Sequence, residues 1–439
     1  MEPVRIGIIG LGTVGRGTLD VLRRNALEIE RRVGRPVRVT QIAVRNPARL
    51  VGVSPVDFAV TGDPFALVNS PELDVVVELI GGIEPARELV LTAIRNGKHV
   101  VTANKALLAL HGNEIFEAAQ QQGVVVAFEA AVAGGIPIIK ALREGLAGNR
   151  IEWLCGIING TCNYILTQMR EQGWSFADAL REAQALGYAE ADPTFDIEGI
   201  DSAHKLTILG AIAFGIPLDF ASVPVEGING LHGMDVTYAE ELGYRIKLLG
   251  LARRVEQGVE LRVHPTLVPA RHLLASVEGA FNAVLVKGDA VGQTLYYGRG
   301  AGAEPTASAV VADLVDVART LTADPSNRVP HLAFQPEQLA ELPILPMAEV
   351  QSAYYLRLQA LDEPGVLAQV TRILADEGIS IEALIQKEAP AGAVDVPVVL
   401  LTHATREGRL SRAIAAIENL PVITQPVVRL RLENLDGLR

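Results

Sequence analysis

The sequence predicts an α/β protein built from three successive parts. A glycine-rich turn between a strand and a helix, at residues 10–15, opens a series of alternating strands and helices. That order is typical of a doubly wound parallel sheet. Bunched and alternating apolar runs between about residues 151 and 297 indicate an α+β region with an open mixed sheet. After a proline-rich stretch, a strand–helix–strand–strand–helix–strand pattern predicts a small βαββαβ domain.

The composition is that of an ordinary globular protein. The chain has 439 residues, of which 49% are hydrophobic and 21% charged, so two or three domains are expected. A formal net charge of -12 argues against nucleic acid or an anionic membrane surface as a partner. No apolar run reaches the length of a membrane span, and the two cysteines are too few for a disulfide framework. We therefore expect a cytoplasmic protein.

The glycine-rich turn follows the apolar run at residues 4–9 and precedes a helical pattern that continues to about residue 32. Glycines at this point let the backbone turn tightly and approach a pyrophosphate, which then lies at the positive end of the helix. The context predicts a Rossmann-type dinucleotide site. Its expected cofactor contacts are Gly10, Gly12, Thr13, Val14 and Gly15.

The second strand, at residues 37–44, is followed by Arg45 rather than by an acidic residue. A carboxylate here would hold the ribose 2′-hydroxyl of NAD, whereas an arginine pairs with the 2′-phosphate of NADP. The sequence therefore favours NADP, with NAD as the alternative. An arginine that is simply exposed in a loop is the structural alternative.

Further strands, at residues 74–80, 100–103 and 124–129, complete a first domain at residues 1–130, to which we add a helix at 303–320. Asn104 and Lys105 lie directly after one of these strands, at the edge where parallel sheets bind ligands. Lys105 is therefore a candidate to reach the cofactor or the substrate.

A second domain is expected at residues 131–302. Small residues and Pro137 in the run 129–137 indicate a crossover into it. A strand at 151–158 then leads through Asn159-Gly160-Thr161 into a helix, and three later strands are expected at 261–267, 280–287 and 290–297. A second glycine-rich turn, 298–302, precedes the helix that we assign to the first domain.

The densest set of ionisable residues lies between Gly187 and Lys205. This stretch carries Glu190, Asp192, Asp196, Glu198 and Asp201 before an apolar helical run. Asp201 and Lys205 are four residues apart, so they share one face of the predicted helix, with Asp196 as its expected N-cap. Such a cluster fits a site where carboxylates hold an ammonium group and a lysine handles a proton. A solvated acidic loop with an ordinary ion pair is the alternative.

Five prolines between residues 323 and 349 predict a linker. The βαββαβ domain follows at residues 350–432, and a turn of sequence Asp362-Glu363-Pro364-Gly365 separates its first strand from its first helix.

Taken together, these segments resemble the homoserine dehydrogenase family, and the tail resembles an ACT domain. The segments that carry the resemblance are Ala103-Asn104-Lys105, the run 129–137, Asn159-Gly160-Thr161 and the stretch from Gly187 to Lys205. The resemblance implies hydride transfer between a nicotinamide cofactor and the L-homoserine/L-aspartate 4-semialdehyde pair, in threonine, methionine and isoleucine biosynthesis.

The resemblance also implies roles for individual residues. Lys205 would be the acid/base, Asp201 would orient it, and Lys105 would act near the nicotinamide. The implied substrate contacts are Glu190, Asp201, Gly160, Thr161 and Tyr188, and Gly187 and Gly302 join the cofactor contacts. A monovalent cation, Na⁺, would be held by main-chain carbonyls at Glu129, Val132, Gly134 and Ile136.

The ACT-like tail implies regulation by an amino acid. We expect L-threonine or a related end product to bind near Asp362 and Gly365. We also expect a homodimer or homotetramer, because mixed sheets and ACT-like tails usually associate.

Two other classes of protein compete with this interpretation. An aldehyde dehydrogenase would need a nucleophilic cysteine, and Cys162, at a predicted helix start, is the candidate. A nucleotide-binding sensor would read amino acids through the tail without turnover. No His/Cys cluster is visible in the sequence, so a transition-metal site is not expected.

Overall fold

The computed structural model describes residues 2–46, 58–387 and 394–435. Within this part of the chain, the strands form a six-stranded and a ten-stranded sheet. None of the described helices is both long and apolar enough to cross a membrane.

The first sheet is parallel throughout and has the strand order β3-β2-β1-β4-β5-β6. Its elements are β1 (Val4–Ile9), α1 (Thr13–Arg24), α2 (Ala26–Val33), β2 (Val37–Ala43), β3 (Ala59–Thr61), α3 (Pro64–Val68), β4 (Val75–Glu78), α4 (Ala86–Arg95), β5 (His99–Thr102), α5 (Lys105–Gln121) and β6 (Val126–Ala127). The predicted doubly wound sheet is confirmed. Its strand order reverses between β1 and β4, and the crevice beyond their carboxyl ends is where such sheets bind ligands.

The second part of the chain combines helices with long antiparallel strands. Its elements are α6 (Ile138–Lys140), β7 (Ile151–Ile157), α7 (Gly160–Gln172), α8 (Phe176–Ala185), α9 (Thr194–Ile197), α10 (Ile200–Phe214), α11 (Gly233–Glu241), β8 (Tyr244–Val255), β9 (Gly258–Pro269), β10 (Phe281–Gly288), β11 (Gly292–Arg299) and α12 (Ala303–Thr320). Among them, α9, α11 and β8 were not predicted. Helix α12 returns to the first sheet and packs against α1. Its first residue, Ala303, lies so close to Gly17 of α1 that a Cβ added to Gly17 would come within 2.5 Å of the Ala303 carbonyl oxygen.

The expected N-cap of the buried helix is wrong. Helix α10 begins after Gly199, whose φ of 83° is left-handed, and Asp196 lies one turn earlier in α9. The reason is tertiary packing: an added Cβ at Gly227 would come within 2.2 Å of the Ile197 carbonyl oxygen. The segment around residue 227 therefore presses against the α9–α10 turn and places it, and local capping propensity does not decide the helix start.

The expected linker is only partly correct. Apart from three short 3₁₀ turns, residues 323–349 lack regular helix, but they are packed against the body of the protein. The ring of His331 stacks on Phe116 at 5.0 Å, and the Val259 amide donates to the Pro343 carbonyl at 3.0 Å. This segment is therefore held against the rest of the protein by side-chain packing and backbone hydrogen bonds.

The tail has the predicted order of elements with one short strand added. It comprises β12 (Gln351–Leu361), α13 (Val366–Asp376), β13 (Ile381–Gln386), β14 (Asp395–Thr402), β15 (Thr405–Arg406), α14 (Glu407–Glu418) and β16 (Ile423–Leu432). The tail was predicted as a separate small βαββαβ domain, but Arg431 and Leu432 of its strand β16 pair in parallel with β9. The result is one mixed sheet with the order β11-β10-β7-β8-β9-β16-β12-β14-β13, so the tail continues the sheet of the second domain.

Candidate active site

One carboxylate, Asp201, lies at the centre of the site. The Nζ atom of Lys205, one helical turn along α10, donates to Asp201 Oδ2 at 2.7 Å and to the Ile158 carbonyl at 2.7 Å. The Nζ atom of Lys105, which belongs to the first domain, lies 3.1 Å from Asp201 Oδ1. The structure therefore brings the three predicted catalytic residues together across the boundary between the two sheets.

The turn after β7 supplies a second support for this carboxylate. Asn159 Nδ2 donates to Asp201 Oδ2 at 2.8 Å and to Asp196 Oδ1 at 2.7 Å, while Asn159 Oδ1 accepts the Cys162 amide and caps α7. Asn159 was not predicted as a site residue. Its position directly after the end of a buried strand was the available signal.

The charges of the site follow from these contacts. Burial opposes ionisation of Asp201, but the two lysines and the hydrogen bonds from Lys205 and Asn159 outweigh it, so the pKa of Asp201 lies below its usual range. The Asp201 charge in turn raises the pKa of Lys105. The site thus presents an anionic Asp201 and a protonated Lys105 at neutral pH.

Only one of the two lysines is well exposed. The Lys105 side chain is 35% exposed, whereas that of Lys205 is 10% exposed. Lys105 is also the first residue of α5, where Asn104 Oδ1 caps the helix by accepting the Leu107 amide at 3.1 Å. Its ammonium group therefore reaches from a fixed helix start into the cleft.

The predicted substrate contacts lie on the loops around this centre. Thr161 Oγ1 donates to the Tyr188 carbonyl at 2.7 Å, which ties the start of α7 to the loop after α8. Gly160 lies so close to the Ala280 backbone that a Cβ would come within 2.8 Å of its carbonyl oxygen. Glu190 is exposed, and its charge contributes to the raised pKa of Lys105. An exposed carboxylate close to the lysines is a suitable partner for a substrate ammonium group.

The predicted cofactor contacts lie at the start of α1. Gly10 has a φ of 98°, and a Cβ on Gly15 would come within 2.2 Å of the Gly10 carbonyl oxygen, so both positions require glycine. Gly12 precedes α1 and has no side chain to cap it, while Thr13 and Val14 form its first turn. The first amide groups of α1 are therefore available to an anionic group.

The remaining cofactor candidates lie on three other segments. Arg45 is exposed just beyond β2, Gly187 has a φ of 75° in an exposed turn, and Gly302 precedes α12, which packs on α1. Because β2 pairs with β1 and α12 contacts α1, Arg45 and Gly302 follow or precede elements that border the glycine-rich turn.

The predicted cation residues form a buried turn at the crossover. Ala133 and Gly134 both have left-handed φ values, of 56° and 51°. The Glu129 carboxylate accepts the amides of Ile139 and Lys140 at 2.9 and 2.8 Å, so it caps α6. No group of three or more metal-binding side chains occurs among the described residues. A cation here would therefore depend on main-chain carbonyls, as the resemblance implies.

The structure contradicts a cysteine nucleophile. The Cys162 thiol is fully buried and donates to the Asp196 carbonyl at 3.1 Å, and burial raises its pKa. Burial likewise raises the pKa of Cys155. Since the thiolate is the reactive form, neither thiol is activated.

The fold and the site together define a class of protein. A dinucleotide-binding sheet, a lysine–aspartate–lysine cluster beside it and an attached βαββαβ domain are the parts of an oxidoreductase with an ACT-type tail. Residues 10–129 match the family model of the homoserine dehydrogenase NAD-binding domain, residues 137–315 that of homoserine dehydrogenase, and residues 354–422 that of the ACT domain.

Individual relatives agree with the family models. A homoserine dehydrogenase of Pseudomonas aeruginosa is 64% identical, over 99% of this chain and 100% of its own. The crystal structure of a homoserine dehydrogenase from Thiobacillus denitrificans has a TM-score of 0.94 at 66% identity and covers 99% of both chains. A hyperthermophilic archaeal homoserine dehydrogenase in complex with NADPH has a TM-score of 0.62 at 27% identity, over 72% of this chain and 98% of its own. The chain belongs to the homoserine dehydrogenase family.

Proposed function

We propose that the chain interconverts L-homoserine and L-aspartate 4-semialdehyde with NADP as its preferred cofactor, in the pathway to threonine, methionine and isoleucine. The observation that carries the proposal is the Asp201 carboxylate held by Lys105 and Lys205 at the carboxyl edge of the parallel sheet. A lysine held by a carboxylate beside the crevice of a dinucleotide-binding sheet supports the proposal that it handles the proton.

Each residue of the site has its own proposed role in the reaction. The nicotinamide cofactor, when bound, supplies or accepts the hydride. Lys205 gives a proton to the aldehyde oxygen during reduction and takes it back from the alcohol during oxidation. Its two partners, Asp201 Oδ2 and the Ile158 carbonyl, each at 2.7 Å, fix the direction of its remaining N–H group. Glu190 accepts hydrogen bonds from the substrate ammonium, and each charge-assisted contact of this kind contributes about 1.5–3 kcal/mol.

The preference for NADP rests on Arg45 and on the lack of a carboxylate directly after β2. The archaeal relative that contains NADPH supports the same choice. We expect kcat/KM to be higher with NADPH than with NADH, and we expect Arg45→Ala to lower kcat/KM for NADPH roughly 10-fold while NADH is little affected. Steady-state kinetics with each cofactor provides the test. Equal losses with both cofactors would contradict the assignment of Arg45.

We further propose that the buried turn at residues 129–136 binds Na⁺ through main-chain carbonyls. Two features support this proposal: the turn is buried, and carbonyl oxygens are ligands that hard cations prefer. If the site is occupied, the melting temperature will rise with added NaCl more than with choline chloride at equal ionic strength. Equal rises would contradict it.

The regulatory ligand is proposed to be L-threonine. A cavity of about 460 Å³ lies at the turn between β12 and α13 and is lined in part by Asp362, Gly365 and Gln386. Gly365 has a φ of 91° and precedes α13, so the first amides of that helix face an anionic group such as an amino-acid carboxylate. Threonine should inhibit the parent, and Asp362→Ala should reduce the inhibition without changing the uninhibited rate.

A homodimer is proposed through the edge of the mixed sheet. Strand β11 has a neighbour on one side in the strand order, and Leu295 and Tyr297 are 37% and 54% exposed along it. Exposed apolar side chains on an edge strand favour association with a second copy. Light scattering should give a dimer or a larger even assembly for the parent, and a Leu295→Glu/Tyr297→Glu variant should shift it towards monomer.

A further inference from the structure

Glu78 is a charged residue at the end of an apolar strand, and none of its surface is exposed. Its oxygens are nevertheless fully engaged. Oε2 accepts the Thr102 hydroxyl at 2.7 Å, and Oε1 accepts the backbone amides of Ile80 at 2.9 Å and Gly81 at 3.1 Å. Burying a carboxylate opposes folding unless hydrogen bonds offset the loss of water contacts. The three hydrogen bonds of Glu78 provide this compensation and connect its side chain to two separate segments.

The Thr102 hydroxyl extends the contacts of Glu78 to the start of α5. The backbone amide of Asn104 donates to Thr102 Oγ1 at 3.0 Å, and the side-chain Nδ2 of Asn104 donates to the Gly82 carbonyl at 2.7 Å. Asn104 caps α5, whose first residue is Lys105. The position of the Lys105 backbone therefore depends on a continuous series of hydrogen bonds that begins at the Glu78 carboxylate.

The other oxygen of Glu78 acts on the glycine-rich turn. The loop at residues 79–82 contains two successive left-handed glycines, Gly81 and Gly82, with φ values of 68° and 74°. This loop packs on Gly10, where an added Cβ would come within 2.9 Å of the Leu79 carbonyl oxygen. Glu78 accepts hydrogen bonds from the backbone amides of residues 80 and 81. These hydrogen bonds thus hold a loop that forms one wall of the predicted dinucleotide site.

We infer that Glu78 is a positioning residue that sets Lys105 and the dinucleotide-binding turn relative to each other. Glu78 acts through Thr102 and Asn104 on one side and through the amides of residues 80 and 81 on the other. The inference rests on the proposed role of Lys105 and goes beyond it, because it assigns the placement of that lysine to a group outside the cleft.

A matched pair of variants at Thr102 tests the branch that leads to Lys105. Thr102→Ser keeps the hydroxyl and Thr102→Val keeps the shape. We expect Thr102→Val to lower kcat about 10-fold or more, and Thr102→Ser to restore at least about a third of the parent kcat. Circular dichroism and the melting temperature establish that each variant is folded. A folded Thr102→Val enzyme with the parent kcat would overturn the inference.

A double-mutant cycle separates positioning from general stability. If Thr102 acts through Lys105, adding Thr102→Val to Lys105→Ala should lower kcat by less than about 2-fold further. A further fall of about 10-fold would overturn the inference. Full activity of Lys105→Ala alone would contradict the proposed role of Lys105, whereas low activity of Lys105→Ala beside a parent-like Thr102→Val contradicts the inference only.

Glu78→Met tests both branches, because it removes both acceptor oxygens and keeps a side chain of similar length. NADPH binding, followed by fluorescence, should weaken about 3-fold or more in Glu78→Met, and it should weaken equally when Lys105→Ala is also present. Thr102→Val should leave NADPH binding within about 2-fold of the parent. Parent-like NADPH affinity in a folded Glu78→Met enzyme would overturn the branch that leads to the glycine-rich turn.

Discussion

Two buried aspartates join parts of this molecule, and their partners differ. Asp201 connects the two domains of the catalytic cleft through Lys105 and Lys205, at 3.1 and 2.7 Å. Asp235, on α11, connects the second domain to the tail: Arg357 Nε and Nη2 donate to it at 2.6 and 3.1 Å, and the Tyr355 hydroxyl donates at 3.0 Å. In the Asp201 cluster the cations are lysines, and one of them is partly exposed to solvent. In the Asp235 cluster the cation is an arginine, and both charged groups are buried.

The difference follows from the chemistry of the two cations. A lysine ammonium group can lose its proton and is free to rotate, so it suits a site that exchanges protons. An arginine guanidinium stays charged and binds a carboxylate through two parallel hydrogen bonds, so it suits a permanent joint. The exposed fractions agree, since the side chain of Lys105 is 35% exposed and that of Arg357 is 8% exposed.

The joint around Asp235 is part of a wider contact. Arg431 of β16 donates to both oxygens of Glu226, at 2.8 and 2.7 Å, and also pairs with Glu407 of the tail. Lys387 pairs with Glu241 of α11 at 2.6 Å. With the β9–β16 pairing, these contacts fix the tail to the second domain. The described part of the tail is therefore joined to the second domain by packed contacts and ion pairs.

The largest expected effect is on catalysis at Lys205. Lys205→Met removes the proton-handling group and keeps much of its length, and we expect kcat to fall roughly 10²–10⁴-fold. Steady-state reduction of aspartate 4-semialdehyde measures this, and NADPH affinity within about 3-fold of the parent shows that the cleft is intact. A variant with near-parent kcat would mean that another group handles the proton.

The next effect is on stability at Asp235. Asp235→Ala leaves the Arg357 guanidinium buried without its carboxylate, which destabilises a protein by about 3–5 kcal/mol. We expect a clearly lower urea midpoint, while kcat per folded molecule stays within about 3-fold of the parent. A large fall in kcat at unchanged stability would show that Asp235 belongs to the catalytic machinery and is not mainly a structural contact.

A smaller effect is expected from Arg357→Lys. The charge remains, but a lysine cannot reproduce the two contacts to Asp235, so we expect a loss of about 1–3 kcal/mol. The urea midpoint should lie between those of the parent and Asp235→Ala. A midpoint equal to the parent's would show that charge alone, without the guanidinium geometry, holds the joint.

The smallest effect is a difference in pH dependence. The pKa of folded Asp201 is held below its unfolded value of about 4, so its charge stabilises the fold above about pH 4. This contribution is lost as the pH falls further and the folded carboxylate takes up a proton. The gap in urea midpoint between the parent and Asp201→Asn should therefore narrow between about pH 6 and pH 3.5. A constant gap would indicate that the Asp201 charge does not stabilise the fold.

Much of the fold was predictable because it rests on local signals. The turn at residues 10–15, the strand that precedes Asn104 and the i,i+4 spacing of Asp201 and Lys205 each reflect a short-range rule. The grouping of Lys105, Asp201 and Lys205 was predictable for the same reason, since these residues follow a strand end or lie on one helix face.

The parts that the sequence did not predict depend on contacts between distant segments. The start of α10 is set by the segment around Gly227. The strands of the tail join the strands of the second domain through two residue pairs between β16 and β9. Glu78 was missed because its side-chain partner, Thr102, is 24 residues away, and its nearby partners, the backbone amides of residues 80 and 81, leave no side-chain signal in the sequence. No periodicity in the chain reports such pairings.

The most direct test compares Asp201→Asn with Asp235→Asn. Both changes keep the size of the side chain and remove one buried charge. We predict that Asp201→Asn loses roughly 10²-fold or more in kcat for homoserine oxidation, because Lys205 and Lys105 lose their common anion. We predict that Asp235→Asn keeps kcat within about 3-fold and has a lowered urea midpoint. Near-parent kcat in Asp201→Asn, or a kcat loss in Asp235→Asn that matches it, would contradict the assignment of catalysis to the Asp201 cluster.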